Sequence, residues 1–256
     1  MLELIFIGTG SASESLNRSH SSFFIQTGKY NLLVDAGDGI STALLKQEIN
    51  YHSIDGIIFT HFHPDHFSGL GGLIIQMEIL QRKKPLQIFT HNKLIPFVKD
   101  YLHLSYLFEK RISFDIEFIG FEHDEIFNVC GDIRVKSKNN THIDVYKKYD
   151  EDDKNYFSSS SFLFNLKDKN LFYTGDIAAK NDLLLFPEEK FDYMITEITH
   201  ISTEDILEAV KLIQPSVLYL THISDDDGQK IEKIINETSA FDVPTIEAVD
   251  GLKIII

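Results

Sequence analysis

The segment Thr60-His61-Phe62-His63-Pro64-Asp65-His66 places three imidazoles and a carboxylate within six residues. His61 and His63 are two apart, so on an extended chain their rings point to the same side. Pro64 removes a backbone donor and fixes φ, which predicts that the strand ends there. The chain then turns, and Asp65 and His66 approach a neighbouring point from another direction. Such a donor set suits a divalent ion: zinc, and also manganese or iron. The bland reading is a coincidental polar cluster at a strand end. Clustered imidazoles are costly unless paired, solvated or metal-bound, which favours the metal.

The elements that must hold these groups are short apolar strands and amphipathic helices. Leu2–Ile7 reads as a first strand ending at Gly8-Thr9-Gly10. Ser22–Gln26 and Asn31–Asp35 follow as strands, separated by the turn composition Thr27-Gly28-Lys29. After Gly37-Asp38-Gly39 the period becomes helical, with Ile40, Ala43 and Leu44 on one face. Ile54–Thr60 reads as a buried strand, Leu70–Leu80 as a helix and Leu86–Thr90 as a strand. In the second half, Phe162–Leu166 and Asn170–Thr174 read as a hairpin around Asp168-Lys169. Tyr193–Thr196 is a predicted strand, and Thr203–Ile213 a helix with Thr203 or Ser202 as N-cap. Val217–Leu220 is a strand, Gly228–Glu237 a helix and Leu252–Ile256 a last strand. Each half thus runs from strands into alternating helices and strands. Ile57–His61 and Leu218–His222 are both apolar runs ending in Thr-His, and a side chain just past a strand's carboxyl end is well placed for function. The polar stretch Lys147–Ser161 reads as a surface loop within one domain, and Asp225-Asp226-Asp227 as a turn into the Gly228 helix.

Composition bounds the partners. The chain has 256 residues, and its formal net charge of −15 opposes a large generic nucleic-acid face. A cationic metal pair reverses the field locally, so an anionic substrate is still compatible. No stretch approaches the roughly 20 apolar residues of a membrane span. Cys130 is the only cysteine. It excludes an internal disulfide framework and reads as a buried thiol, which fits a cytoplasmic location. Arg82-Lys83-Lys84 reads as a helix C-terminus complementing its dipole. His20, His52, His91, His103 and His123 read as structural or exposed.

The box His61-Phe62-His63-Pro64-Asp65-His66 resembles the H-x-H-x-D-H motif of the metallo-β-lactamase superfamily. Gly8-Thr9-Gly10-Ser11-Ala12, Arg18-Ser19, Asp35-Ala36-Gly37-Asp38-Gly39 and Ser68-Gly69-Leu70-Gly71-Gly72-Leu73 look like its ribonuclease Z-like branch. The resemblance covers essentially the whole chain. It implies an α+β fold, a four-layered αββα sandwich with two similar halves, in one hydrolase domain spanning 1–256. It also implies the remaining ligands. Asn140-Thr141-His142 matches the lone third-motif histidine, Tyr173-Thr174-Gly175-Asp176 the bridging aspartate, and Leu220-Thr221-His222 the last histidine. One metal then takes His61, His63, His142 and Asp176, and the other Asp65, His66, Asp176 and His222. His200-Ile201-Ser202-Thr203 looks similar to the branch's proton-donating His-Ser-Thr element, with Glu197 as its carboxylate. In the branch that glutamate lies further upstream.

The expected chemistry is hydrolysis. Two divalent ions, expected to be Zn2+ with Mn2+ or Fe2+ as alternatives, lower the pKa of a bridging water and bind a substrate oxygen anion. Asp65 is expected to orient the nucleophile, and His200 with Glu197 to protonate the leaving oxygen. The resemblance implies a phosphodiesterase of the transfer-RNA 3′-end endonuclease type. The branch's long Gly/Pro-rich arm is absent between His142 and Asp176. A small-molecule phosphodiesterase acting on cyclic nucleotides or cyclic sugar phosphates is the alternative. A lactone or thioester hydrolase and a non-catalytic metal-binding protein are the readings from other classes. A homodimer is possible, with Leu70–Leu80 as one contact, and no membrane association is expected.

Overall fold

A computed structural model describes residues 2–256, and the chain divides into two compact units. The first runs up to Glu122 and regains Val249–Ile256; the second is His123–Ala248.

The first unit is built on a seven-stranded sheet. Its strands are β1 (Glu3–Gly8), β2 (Ser22–Gln26), β3 (Asn31–Val34), β4 (Gly56–Ile58), β5 (Leu86–His91), β6 (Ile116–Phe121) and the C-terminal Lys253–Ile255. The C-terminal strand lies outside β1, and β1 to β6 follow in chain order. The first three pairings are antiparallel and the last three parallel. Parallel neighbours need crossovers, and α1 (Ile40–Lys46), α2 (Pro64–Phe67), α3 (Leu70–Ile79) and α4 (Ile95–Leu104) lie in them. Ile5, Leu33, Ile57 and Ile88 on the sheet pack with Leu44, Leu70, Ile74 and Val98 in one apolar cluster. The opposite sheet face is buried too, at Leu4, Phe6, Leu32, Val34 and Phe89. That is why these strands read as near-continuous apolar runs.

The second unit repeats the scheme. Its sheet contains β7 (Ile126–Cys130), β8 (Ile133–Asn139), β9 (Ser160–Leu166), β10 (Lys169–Tyr173), β11 (Tyr193–Glu197), β12 (Val217–Thr221) and β13 (Thr245–Glu247), in that order. Again three antiparallel pairings precede three parallel ones. α5 (Thr203–Ile213) and α6 (Gly228–Thr238) turn Ile206, Val210, Ile231 and Ile234 onto Met194, Leu218 and Leu220. Their exposed faces carry Glu204, Glu208 and Lys233. Ser202 caps α5, its Oγ accepting from the Asp205 N–H at 3.1 Å.

Several expectations change. Strand β4 ends at Ile58, so Pro64 opens a helical turn at its first position and does not terminate a strand. By sheet order the counterpart of β12 is β5, which ends Thr90-His91, and not the strand leading to His61. Arg82 is not a solvated dipole partner. Its side chain is fully buried, and the guanidinium donates to the carbonyls of Tyr51, Ile54, Lys84 and Pro85. Cys130 is half-buried. The region between Asn92 and Asn139, where the sequence predicts no elements, contains α4, β6, β7 and β8. The stretch Lys147–Ser161 is a loop only in part, because Ser158–Ser161 are buried where β9 begins.

Candidate metal centre

In the first unit the histidine box is held by the turn that follows β3. The Ala36 N–H donates to the His66 carbonyl at 2.7 Å, and Gly69 N–H returns to Ala36 O at 3.0 Å. A Cβ on Gly37 would lie 1.8 Å from the Asp65 carbonyl oxygen, so only glycine permits this approach. Asp35 occupies the turn's start, fully buried and at φ 60°. Its Oδ1 accepts the Thr60 N–H at 2.8 Å, and its Oδ2 accepts Thr60 Oγ1 and His66 Nδ1, each at 2.9 Å. Burial pushes the Asp35 carboxyl up. The neighbouring His66 and the Thr60 bonds pull it back only in part.

Those bonds fix two imidazoles. His66 donates from Nδ1 to Asp35. Thr60 gives its hydroxyl proton to Asp35 and so accepts from His61 Nδ1 at 3.0 Å. Each ring therefore keeps its Nε2 lone pair for a Lewis acid. His61 Nε2 lies 3.0 Å from His63 Nδ1, and His66 Nε2 lies 3.4 Å from Asp65 Oδ2. Two ligand atoms at about 2.0–2.1 Å from a tetrahedral ion are about 3.3 Å apart, so both pairs have the span of one coordination edge. His61, Asp65 and His66 are buried, and His63 is half-buried.

In the second unit the groups come from four strand ends and meet at Asp176. Gly175, at φ 59°, turns the chain after β10 and delivers Asp176. Asp176 Oδ2 lies 3.3 Å from His222 Nε2, 3.6 Å from His142 Nε2 and 3.8 Å from His200 Nδ1. The first two again match a coordination edge. His222 follows β12 at φ 55°, a conformation that costs a non-glycine residue roughly 1–3 kcal/mol and clusters at functional sites. Its carbonyl accepts from Thr199 Oγ1.

Glu197, at the end of β11 and 1% exposed, is tied to His200 twice. Oε1 accepts His200 Nδ1 at 3.1 Å, and Oε2 accepts the His200 N–H at 2.9 Å. Oε1 also accepts the Ile177 N–H at 3.1 Å. The three-residue spacing is therefore compatible with a direct pair, because the chain turns back on the strand end. His200 is 36% exposed, and its ring stands 4.8 Å from that of His142, edge on. The pair holds the proton on Nδ1 of a neutral ring, and Nε2 gains a proton when the ring charges.

Sequence reasoning named each of these candidate ligands and missed the residues that position them. Asp35 and Thr60 orient two rings of the first unit. In the second, Asn140 Oδ1 accepts the His142 N–H at 3.1 Å. Asp182 accepts from Thr141 N and Oγ1 and from the N–H groups of Ala178 and Ala179, tying the turn before His142 to the loop after Asp176. Asp35 carried a signal, a carboxylate directly after Leu32-Leu33-Val34. Asp182 carried none.

The donor chemistry in both units is that of a divalent-metal site. Among known proteins, the family model described as Anti-Pycsar protein Apyc1 matches residues 2–237. Ribonuclease Z of Saccharolobus solfataricus is 29% identical over 252 residues, covering 90% of this chain and 84% of that protein. The metallo-β-lactamase fold protein YhfI of Bacillus subtilis superposes with a TM-score of 0.77 at 19% identity, covering 99% of this chain and 98% of the other. The short form of human tRNase Z does so at 0.74 and 21%, over 99% of each chain. The fold is therefore the metallo-β-lactamase fold, as expected from the histidine box.

Proposed function

We propose, because this chain belongs to the Anti-Pycsar protein Apyc1 family, that the histidine and aspartate groups of its two units act as halves of one dinuclear phosphodiesterase centre. The chain is a ribonuclease Z-like member of the metallo-β-lactamase superfamily and a metal-dependent hydrolase. The proposal assigns His61, His63, His142 and Asp176 to one ion, and Asp65, His66, Asp176 and His222 to the other, with Zn2+ as the expected metal. It treats 1–256 as one hydrolase domain. The observation that carries it is Asp176 Oδ2, which faces two histidine nitrogens at coordination-edge distance inside its own unit.

When bound, the two ions supply Lewis acidity for water activation and for an anionic substrate oxygen. The chain's own residues do the rest. Asp65 orients the attacking water through a carboxylate oxygen. Asp35 and Thr60 keep His66 and His61 in the Nδ1-protonated form, so their Nε2 atoms face the site. His200 delivers a proton from Nε2 to the leaving oxygen, while Glu197 holds Nδ1 and stabilises the charged ring.

The relatives named ribonuclease Z bring an RNA substrate to this chain as the first reading, of the transfer-RNA 3′-end type that the branch resemblance implies. A second reading is a small cyclic nucleotide or cyclic sugar phosphate. Only residues 143–159 separate His142 from β9, and they include Asp150, Glu151, Asp152 and Asp153. Together with the whole chain's net charge of −15, those carboxylates oppose a long polyanion. Lactone or thioester hydrolysis and a non-catalytic role have no observation in their favour. A homodimer through α3 is supported by Ile75 and Ile79, exposed at 43% and 65%. Among the described residues no helix is long and apolar enough to cross a membrane. A single cysteine fits the cytoplasm.

The test is hydrolysis of bis(p-nitrophenyl) phosphate by the native protein and by His200→Ala. Turnover that falls roughly 10²–10⁴-fold in the variant, with metal retained, supports the assignment. An inert native protein that holds its metals sinks the phosphodiesterase reading, and turnover unaffected by the variant sinks the role of His200. Precursor transfer RNA against cyclic nucleotides then separates the two substrate readings.

A further inference from the structure

We propose that Lys230 positions the proton donor by stapling the loop that carries His200, an inference that rests on the phosphodiesterase reading above. The loop runs from Ile198 to Ile201, between the end of β11 at Glu197 and Ser202, the N-cap of α5. Its two ends are buried, and Ile198 and Ile201 pack in one apolar cluster with Ile231 and Ile234 of α6. Thr199 and His200 between them are exposed. The carbonyls of Ile198 and Ile201 lie outside strand β11 and helix α5, and a carbonyl so placed needs a donor from elsewhere. Lys230 supplies it. Its Nζ donates to Ile201 O at 2.8 Å and also to Ile198 O. One ammonium thus joins the carbonyls at the two ends of the loop.

The helix that carries this lysine does not account for it. Lys230 stands in the first turn of α6, where there is no acidic residue and where the helix dipole disfavours a cation. Charge-assisted bonds to two carbonyls offset that cost, each roughly twice as strong as a neutral one. The other ties of the loop lead to the candidate centre. Thr199 Oγ1 donates to the His222 carbonyl, and Glu197 accepts both the N–H and the Nδ1 proton of His200. His200 Nδ1 lies 3.8 Å from Asp176 Oδ2, so the imidazole is already within the group that converges there. Glu197 fixes one edge of the ring, and Lys230 fixes the backbone on both sides of it. Without the ammonium the two end carbonyls lose their shared donor, and the loop is free to carry Nε2 away from the leaving oxygen. A misplacement of about 1 Å can cost roughly 10²-fold in rate, so the loss belongs to turnover and not to binding. Lys230 bonds to backbone oxygens and not to the His200 ring, which makes it a positioning residue.

Lys230→Met keeps the apolar stem and removes the donor. With bis(p-nitrophenyl) phosphate its kcat should fall roughly ten- to a hundredfold, with KM and metal content unchanged. In the His200→Ala background the same substitution should cost nothing further, because Lys230 acts through His200. Lys230→Gln, a neutral donor, should fall between the native protein and the methionine variant, and it carries the same cycle if the methionine variant does not fold. Amide exchange over residues 198–202 of the metal-loaded protein should quicken in Lys230→Met, and unchanged exchange contradicts the staple. An unchanged kcat in the folded variant overturns the proposal. So does an equal loss in both backgrounds, which would make Lys230 a support of the fold alone. If the native protein hydrolyses nothing while folded and metal-loaded, the phosphodiesterase reading fails first and the role of Lys230 falls with it.

Discussion

The two units share one strand scheme and furnish their polar groups in opposite ways. The first gathers its candidate ligands in six consecutive residues, His61 to His66, and fixes two of their rings through one buried carboxylate, Asp35. The second draws His142, Asp176, Glu197, His200 and His222 from four separate strand ends, and its three histidines converge on Asp176 Oδ2. In the first unit local chain geometry does the positioning. In the second the sheet does, and backbone bent at Gly175 and His222 finishes the task. The strands that correspond by sheet order diverge accordingly. β12 leads to His222, whereas β5 ends in His91, whose Nε2 faces Glu122 at 3.2 Å and whose Nδ1 accepts the Lys93 N–H. Burial lowers the His91 pKa and Glu122 counters this only in part, so near neutrality it is an uncharged structural residue.

The largest effect is expected at the convergence point. Asp176→Ala removes the carboxylate that both ions share in the proposal. We expect loss of turnover by roughly 10³-fold or more, several kcal/mol of transition-state stabilisation, with metal content reduced. Metal analysis and steady-state rates on one sample check it. Next, Glu197→Gln keeps the shape but removes the charge that steadies His200. Turnover should drop by roughly 10²-fold with metal content intact, and the pH–rate profile should change on the limb that reports the proton donor. A variant that loses metal but keeps its profile would make Glu197 a ligand support.

Asp35→Asn asks whether one carboxylate really orients the first unit. Its cost should appear as a roughly 10- to 100-fold weaker metal affinity, measured by competition with a chelator, and not as lost folding. The smallest effect is expected away from the site. Burial pushes the Asp192 carboxyl up, but Lys169 and the Asn170 N–H outweigh it and leave it below its ordinary value. A lowered folded-state pKa stabilises above the unfolded value and is lost as pH falls through the folded one. Asp192→Asn should thus lower Tm by no more than about 2–4 °C near neutrality, with the difference closing in acid. A Tm gap that persists below that range would mean packing, and not charge, is lost.

The same contrast explains what was legible in the sequence. The box His61–His66 is readable because its candidate ligands are neighbours and no tertiary information is needed. His142, Asp176 and His222 are far apart in sequence, and each is a candidate ligand only through resemblance to a family motif. The Glu197–His200 bond depends on the chain doubling back at the end of β11, which no periodicity encodes. Apolar strands such as Leu32–Val34 and Ile57–Ile58 stood out because both of their faces are buried. β6 to β8 did not, since Glu117, Asn128 and Arg134 interrupt them on half-exposed faces. Arg82 misled because a cation after a helix is normally solvated, and five carbonyl-directed donors inside a core leave no pattern in sequence.

The most direct test of the central claim is the metal content of the folded protein after zinc or manganese is supplied. About two ions per chain are expected, and fewer when Asp176 or His66 is replaced. A folded protein that binds none under those conditions would contradict it.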